Sequence, residues 1–168
     1  DRGHKNIGFV GTRLMTPSID DRFFGYLKAL MERGIKYRAD WIIDDRDNIY
    51  GKMNYDRQFI LPKEVPTAFF CNCDKAASLI IRKLEEAGYS VPGDVSVVGF
   101  DNFEYDQEAD IGITTYEINI GEMAKRAVHI MLHKMQNALY SAGVFSIQGK
   151  IIERESVKKI GKSVPHAK

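Results

Sequence analysis

Apolar residues in this chain come in short blocks, and their spacing alternates between that of a strand and that of a helix. Residues 6–11 (NIGFVG) read as a short buried strand, closed by Gly11 and the turn-like residues 16–20. From Asp21 the period changes: Phe23, Leu27, Leu30 and Met31 fall on one helical face, and Gly34 closes the helix. Residues 41–43 read as a second strand. The polar run 44–55 (DDRDNIYGKMNY) reads as a loop or short irregular helix, and residues 67–71 (TAFFC) as a third strand. Asp74 then stands as an N-cap before a helical face of Ala77, Ile80, Ile81 and Leu84, with Gly88 at its end. Residues 95–99 (VSVVG) are β-branched and apolar on both faces, as central parallel strands are.

Residues 113–116 read as a further strand. Asn119 and Glu122 resemble a capping box. Behind them Ile120, Met123, Ala127, Ile130, Met131 and Met135 line a long helix. Residues 144–147 and 150–153, separated by Gln148-Gly149, read as a terminal hairpin-like pair. Strands alternating with helices predict an α/β fold with a mostly parallel sheet covered on both faces, in three α/β/α layers.

Composition narrows the function. The chain has 168 residues, 44% apolar and 28% charged, enough for a real core. Its net charge of +1 argues against a strongly basic nucleic-acid face in this segment. No apolar run reaches the roughly 18 residues of a membrane span. Cys71 and Cys73 have one residue between them, which is neither a zinc pair nor a disulfide framework, so free thiols are expected. G-x-G-x-x-G, G-x-x-x-x-G-K-[ST] and G-x-S-x-G are all absent. An enzyme is therefore not expected. The chain opens on Asp1, close to an apolar strand, as a piece of a longer protein would, and the polar tail 161–168 is expected to be disordered.

In an open parallel sheet, ligands bind outside the carboxyl ends of the strands. Ser18, Asp20, Asp21 and Arg22 follow the first predicted strand. Asn72, Cys73 and Asp74 follow the third, and Asp101 and Asn102 follow VSVVG. A guanidinium, a carboxylate and an amide together can grip vicinal hydroxyls. Each residue also has a plainer reading. Arg22 fits a solvated first turn, although a cation there opposes the helix dipole. Asp74 fits a cap, Asp101 a turn former and Cys73 a small buried filler. His129 and His133 share a helix face but lack a third metal ligand, so no metal or other cofactor is expected. A phosphoacceptor role for Asp101 lacks the acidic pair that should follow the first strand.

The same residues carry a family likeness. Residues 65–101 (VPTAFFCNCDKAASLIIRKLEEAGYSVPGDVSVVGFD) resemble the lac-repressor/galactose-repressor family run of P-T-A, N-D-x-x-A, a helix ending in Gly, and V-P-x-D-[IV]-S-V-V-G-[FY]-D. Gly3-His4, Ile7-Gly8-Phe9, Arg22-x-x-Gly25, Thr114-Thr115 and Arg154-x-Ser156 match further family motifs in order. The resemblance implies a periplasmic-binding-protein-like type I lobe. Residues 1–160 would be the C-terminal portion of an effector-binding sensor domain, beginning where the family's second lobe begins. Segment 119–140 would be a helix that packs on the other lobe.

It further implies a cytoplasmic, repressor-type transcriptional regulator that takes a sugar or sugar derivative and has no membrane role. DNA would be bound only through a helix-turn-helix outside this chain. Arg22 stands at the family's sugar-binding Arg, Asp101 at its effector-binding Asp, and Ser18 where some members place a hydroxyl. Cys73 replaces the Asn before the Asp of N-D-x-x-A, so either Asn72 takes its place or the effector is not a simple hexose. An extracytoplasmic sugar-binding receptor of a transport system shares this sensor fold and is the alternative. The apolar stripe on the long helix, left uncovered, favours self-association. A homodimer is predicted, and a monomeric mass in size-exclusion chromatography with light scattering would overturn that prediction.

Overall fold

A computed structural model describes residues 2–47, 49–103 and 110–160. The chain runs through β1 (Ile7–Val10), α1 (Pro17–Glu32), a 3-10 turn (Ala39–Trp41), β2 (Ile42–Ile43), α2 (Tyr55–Gln58), β3 (Ala68–Cys71) and α3 (Asp74–Glu86). It continues through β4 (Ser96–Asp101), β5 (Thr114–Glu117), α4 (Ile120–Gln136) and β6 (Lys150–Ile152). The strands form one six-stranded sheet in the order β2-β1-β3-β4-β5-β6. All neighbours are parallel except β5 and β6, which pair antiparallel through Thr115↔Ile152 and Tyr116↔Ile151. This is the mostly parallel α/β sheet that the alternating pattern predicts.

The alternation of side chains along each strand divides the core between the two faces. On one face Phe9 and the partly buried Phe70 meet Phe23, Tyr26 and Leu30 of α1. The Phe9 ring lies 5.2 Å from Phe23, 5.6 Å from Tyr26 and 5.7 Å from Phe70, centroid to centroid, in edge and tilted arrangements. On the other face Val10, Phe69, Cys71 and Val97 pack against Ala77, Ile80, Ile81 and Leu84 of α3, the face predicted from helical spacing.

Several elements differ from the sequence pattern. Helix α1 begins at Pro17 rather than Asp21, because Thr16 accepts the Ile19 amide at the N-cap and Pro17 presets the first-turn backbone. Ser18 is therefore helical. Met31 is 79% exposed, since Tyr26 takes the place on the core face that Met31 was expected to share. Trp41 belongs to the 3-10 turn. Residues 144–147 form no strand, and β6 pairs with β5 alone instead of with a hairpin partner.

Asn119 caps α4 by accepting the Glu122 amide at 3.0 Å, as half of the expected capping box. No residue of α4 is buried. Met123, Met131, Leu132 and Met135 all stand exposed along it. The predicted tail at 161–168 lies outside the described residues. Among the described residues no helix is long and apolar enough to cross a membrane.

Truncating Phe9 to Ala removes a fully buried ring from a site walled by aromatics. It is expected to cost about 3–5 kcal/mol in chemical denaturation, whereas Met31→Ser should stay within about 0.5 kcal/mol of the parent.

Candidate functional site

A parallel sheet sends every strand's carboxyl end to the same edge, and that edge brings Arg22, Asn72 and Asp101 into contact. Arg22 projects from the second turn of α1. Its Nη1 donates to the Asn72 carbonyl at 3.0 Å and its Nη2 to Asp101 Oδ1 at 3.0 Å. The guanidinium also lies over the Phe100 ring, with Cζ 4.1 Å from the centroid. Both side chains of the ion pair are about one-fifth exposed, so the pair is partly shielded and still reachable from solvent. Burial pushes the Asp101 carboxyl up, and the Arg22 charge works against this.

Asp101 occupies an unusual backbone conformation. Its φ is +98°, and Asn102 follows at +51°, both in the region that favours glycine. This left-handed turn ends β4 and carries the carboxylate next to Arg22. Asn102 is held from several sides. Its amide donates to Thr115 Oγ1 at 3.3 Å and its Nδ2 to Glu117 Oε1 at 2.9 Å, and its Oδ1 accepts from Arg154 at 2.7 Å. Strain of this kind persists only where surrounding contacts over-determine it, and it clusters at binding sites.

The remaining expected site residues fall differently. Ser18 lies on α1 one turn before Arg22, within hydrogen-bond distance of Thr16. The Asn72 side chain is buried, and its amide donates to Asp45 Oδ2 at 3.1 Å. The contact of Asn72 to Arg22 is made by the backbone carbonyl. Cys73 takes the N-cap position of α3 without a side-chain cap bond, and burial raises its thiol, which stays protonated. Asp74, expected as that cap, is instead the first helical residue, and its carboxylate accepts the Phe103 amide.

The sequence pattern missed a second polar centre on the same edge. Asp45 follows β2 and is completely buried. It accepts from the Thr12 amide at 2.9 Å, from Asn72, and from Arg46 through two bonds at 3.1 and 2.7 Å. The Thr12 hydroxyl in turn accepts the Asp45 and Arg46 amides and donates to the Arg46 carbonyl. Burial works against the Asp45 charge, but Arg46 and the Thr12 amide more than offset it and hold the carboxyl below its usual range. The one available signal was position: Asp45 and Arg46 follow the second strand as Asp101 follows the fourth.

Contacts thus run without a break from Arg46 through Asp45, Asn72 and Arg22 to Asp101. A groove of about 820 Å³ opens from Ser18 and Arg22 along the α1 side of the sheet, past Tyr26, Phe70 and Val98. Its walls are apolar, so the polar chemistry lies at its rim. His129 and His133 stand ring edge to face at 4.4 Å, and His133 stacks on Tyr140. Among the described residues no group of three or more His, Cys, Asp or Glu is placed to hold a metal ion.

An open α/β lobe with a charged pair at the carboxyl edge of its sheet has the architecture in which such sheets place ligands. The chain belongs to the family described as periplasmic binding protein-like domain, which matches residues 1–157. It is 31% identical over 160 residues to the HTH-type transcriptional repressor PurR of Photobacterium profundum, covering 95% of this chain and 48% of that protein. It is 32% identical over 157 residues to the NTD biosynthesis operon regulator NtdR of Bacillus subtilis, covering 93% and 48%. A LacI family transcriptional regulator from Enterococcus faecium with bound ribose superposes with a TM-score of 0.74 at 23% identity, covering 95% of this chain and 59% of that one. The chain spans about half the length of the curated relatives it matches. These relatives are transcriptional regulators, as the lac-repressor/galactose-repressor likeness implies.

Asp45 is charged in the folded protein, with its carboxyl held below the unfolded value. Its stabilisation is present above the ordinary carboxylate range and is lost as pH falls through the lowered folded value. Asp45→Asn should therefore lower stability by about 1–3 kcal/mol at pH 7 in urea denaturation, and by less as the buffer is taken toward pH 3.

Proposed function

We propose that this chain is the second lobe of the effector sensor of a cytoplasmic repressor, and that Arg22 and Asp101 grip vicinal hydroxyls of a sugar or sugar derivative. The observation that carries the reading is the Arg22–Asp101 pair. A planar donor fork and a carboxylate lie 3.0 Å apart, partly shielded, where an open parallel sheet places its ligands. Arg22 has donors beyond its two bonds, and Asp101, which meets Arg22 through Oδ1, has acceptor capacity at Oδ2. Ser18 adds a hydroxyl on the α1 side of the same rim. Asn72 contributes through its carbonyl, which orients the guanidinium. Cys73 contributes packing under the edge.

In this reading residues 1–160 form the lobe, and segment 119–140 seats its exposed stripe on the other lobe of the sensor. A helix-turn-helix outside this chain binds DNA, and two copies work as a homodimer. The effector matters only through its preference for one arrangement of the lobes, because a ligand shifts an equilibrium by no more than its differential affinity. The ribose-bound neighbour shows that its own version of this fold takes a pentose. The curated relatives favour the regulator over the transport receptor that shares the fold.

A thermal-shift screen of mono- and disaccharides on the whole sensor tests the reading. At least one sugar should stabilise the protein, and Arg22→Ala and Asp101→Ala should each weaken it about 10- to 100-fold, the equivalent of one lost charge-assisted bond. Wild-type affinity in both variants would overturn the assignment.

A further inference from the structure

The left-handed turn at Asp101 and Asn102 needs an anchor on its far side. Asn102 is fixed by Thr115, Glu117 and Arg154, but these bonds all lie toward β5 and the chain beyond β6. The next amide, that of Phe103, turns back across the sheet and donates to Asp74 Oδ2 at 2.9 Å. Asp74 is the first residue of α3, only 7% exposed, and Thr115, which also accepts the Asn102 amide, lies beside its carboxylate. Asp74 Oδ1 lies against Gly99 in β4, where an added Cβ would collide with it. Burying a carboxylate is costly, and burial is the largest influence on this one. Its bond from the Phe103 amide pins the residue that follows the strained pair.

We propose that Asp74 is a positioning residue: by anchoring the Phe103 amide it holds the Asp101–Asn102 turn in its left-handed conformation and so keeps the Asp101 carboxylate on Arg22. Gly99 is part of the same device, because only a residue without a side chain leaves room for the Asp74 carboxylate beside β4. Asp74 need not touch a ligand. A cap role explains neither the bond to Phe103 nor the space kept free at Gly99. What this means for effector capture rests on Arg22 and Asp101 being the gripping pair. The geometry itself can be read without any ligand, so the two can fail separately.

The test is a carboxyl NMR titration of Asp101 in the intact protein, with and without Arg22→Gln. In the parent, Arg22→Gln should raise the Asp101 midpoint by about one pH unit, the effect of removing an opposite charge at this range. Asp74→Ser is too short to reach the Phe103 amide, and Gly99→Ala displaces the Asp74 carboxylate while leaving it chemically intact. In either background the shift caused by Arg22→Gln should fall to near zero. Asp74→Asn keeps an acceptor and should restore it. An undiminished shift in the Asp74→Ser and Gly99→Ala backgrounds overturns the proposal and leaves Asp74 a structural residue. Hydrogen exchange at the Phe103 amide of the parent provides a check that no variant's folding can spoil. Protection is expected, and exchange at the rate of a free loop amide overturns the proposal.

Discussion

The Arg22 guanidinium ties three segments of the chain together at one point. It starts from α1, donates to the carbonyl that ends β3, and meets the carboxylate that ends β4. It also covers the Phe100 ring, which shields one side of the charge from water. An exposed ion pair would contribute little, because solvent screens it and two long side chains must be ordered. Here the ordering is already supplied by the helix, the sheet edge and the ring. The pair is partly buried, fixed in geometry and still open on its outer side. Those properties make it useful for recognition, since donors and acceptors are held ready before a ligand arrives.

Behind that point lies a second, fully buried charge. Asp45 joins the ends of β1, β2 and β3 through Thr12, Arg46 and Asn72. A buried carboxylate is tolerable only when its oxygens are satisfied and a cation is close, and both conditions hold. The Asn72 amide nitrogen is committed to Asp45.

Helix α4 shows the opposite situation. Its capping is correct and its apolar stripe is continuous, yet none of its residues is buried. Helical stability in proteins comes mostly from packing an apolar face against something else. A helix of this composition, standing clear of the sheet, leaves its apolar stripe uncovered among the described residues. The sheet and the helix thus belong to one chain but not to one core.

The alternating periods of the sequence were enough to determine the α/β class, the faces of α3 and the cap of α4, because each of these depends on residues within one or two turns of each other. The pattern also placed Asp101 at the end of a strand and Arg22 in the stretch that follows the first strand, toward the edge where a parallel sheet collects its ligands. Only the tertiary structure could decide which of the edge residues meet. Asn72 and Asp45 are twenty-seven positions apart and Arg22 and Asp101 seventy-nine, and no local period encodes which way a side chain turns once the strands are aligned. The same holds for the start of α1, which Thr16 and Pro17 set by capping rather than by hydrophobic spacing. Asp74 is the sharpest case. Locally it is an ordinary first-turn acid, and its partner, the Phe103 amide, is brought to it only by the left-handed turn that ends a neighbouring strand.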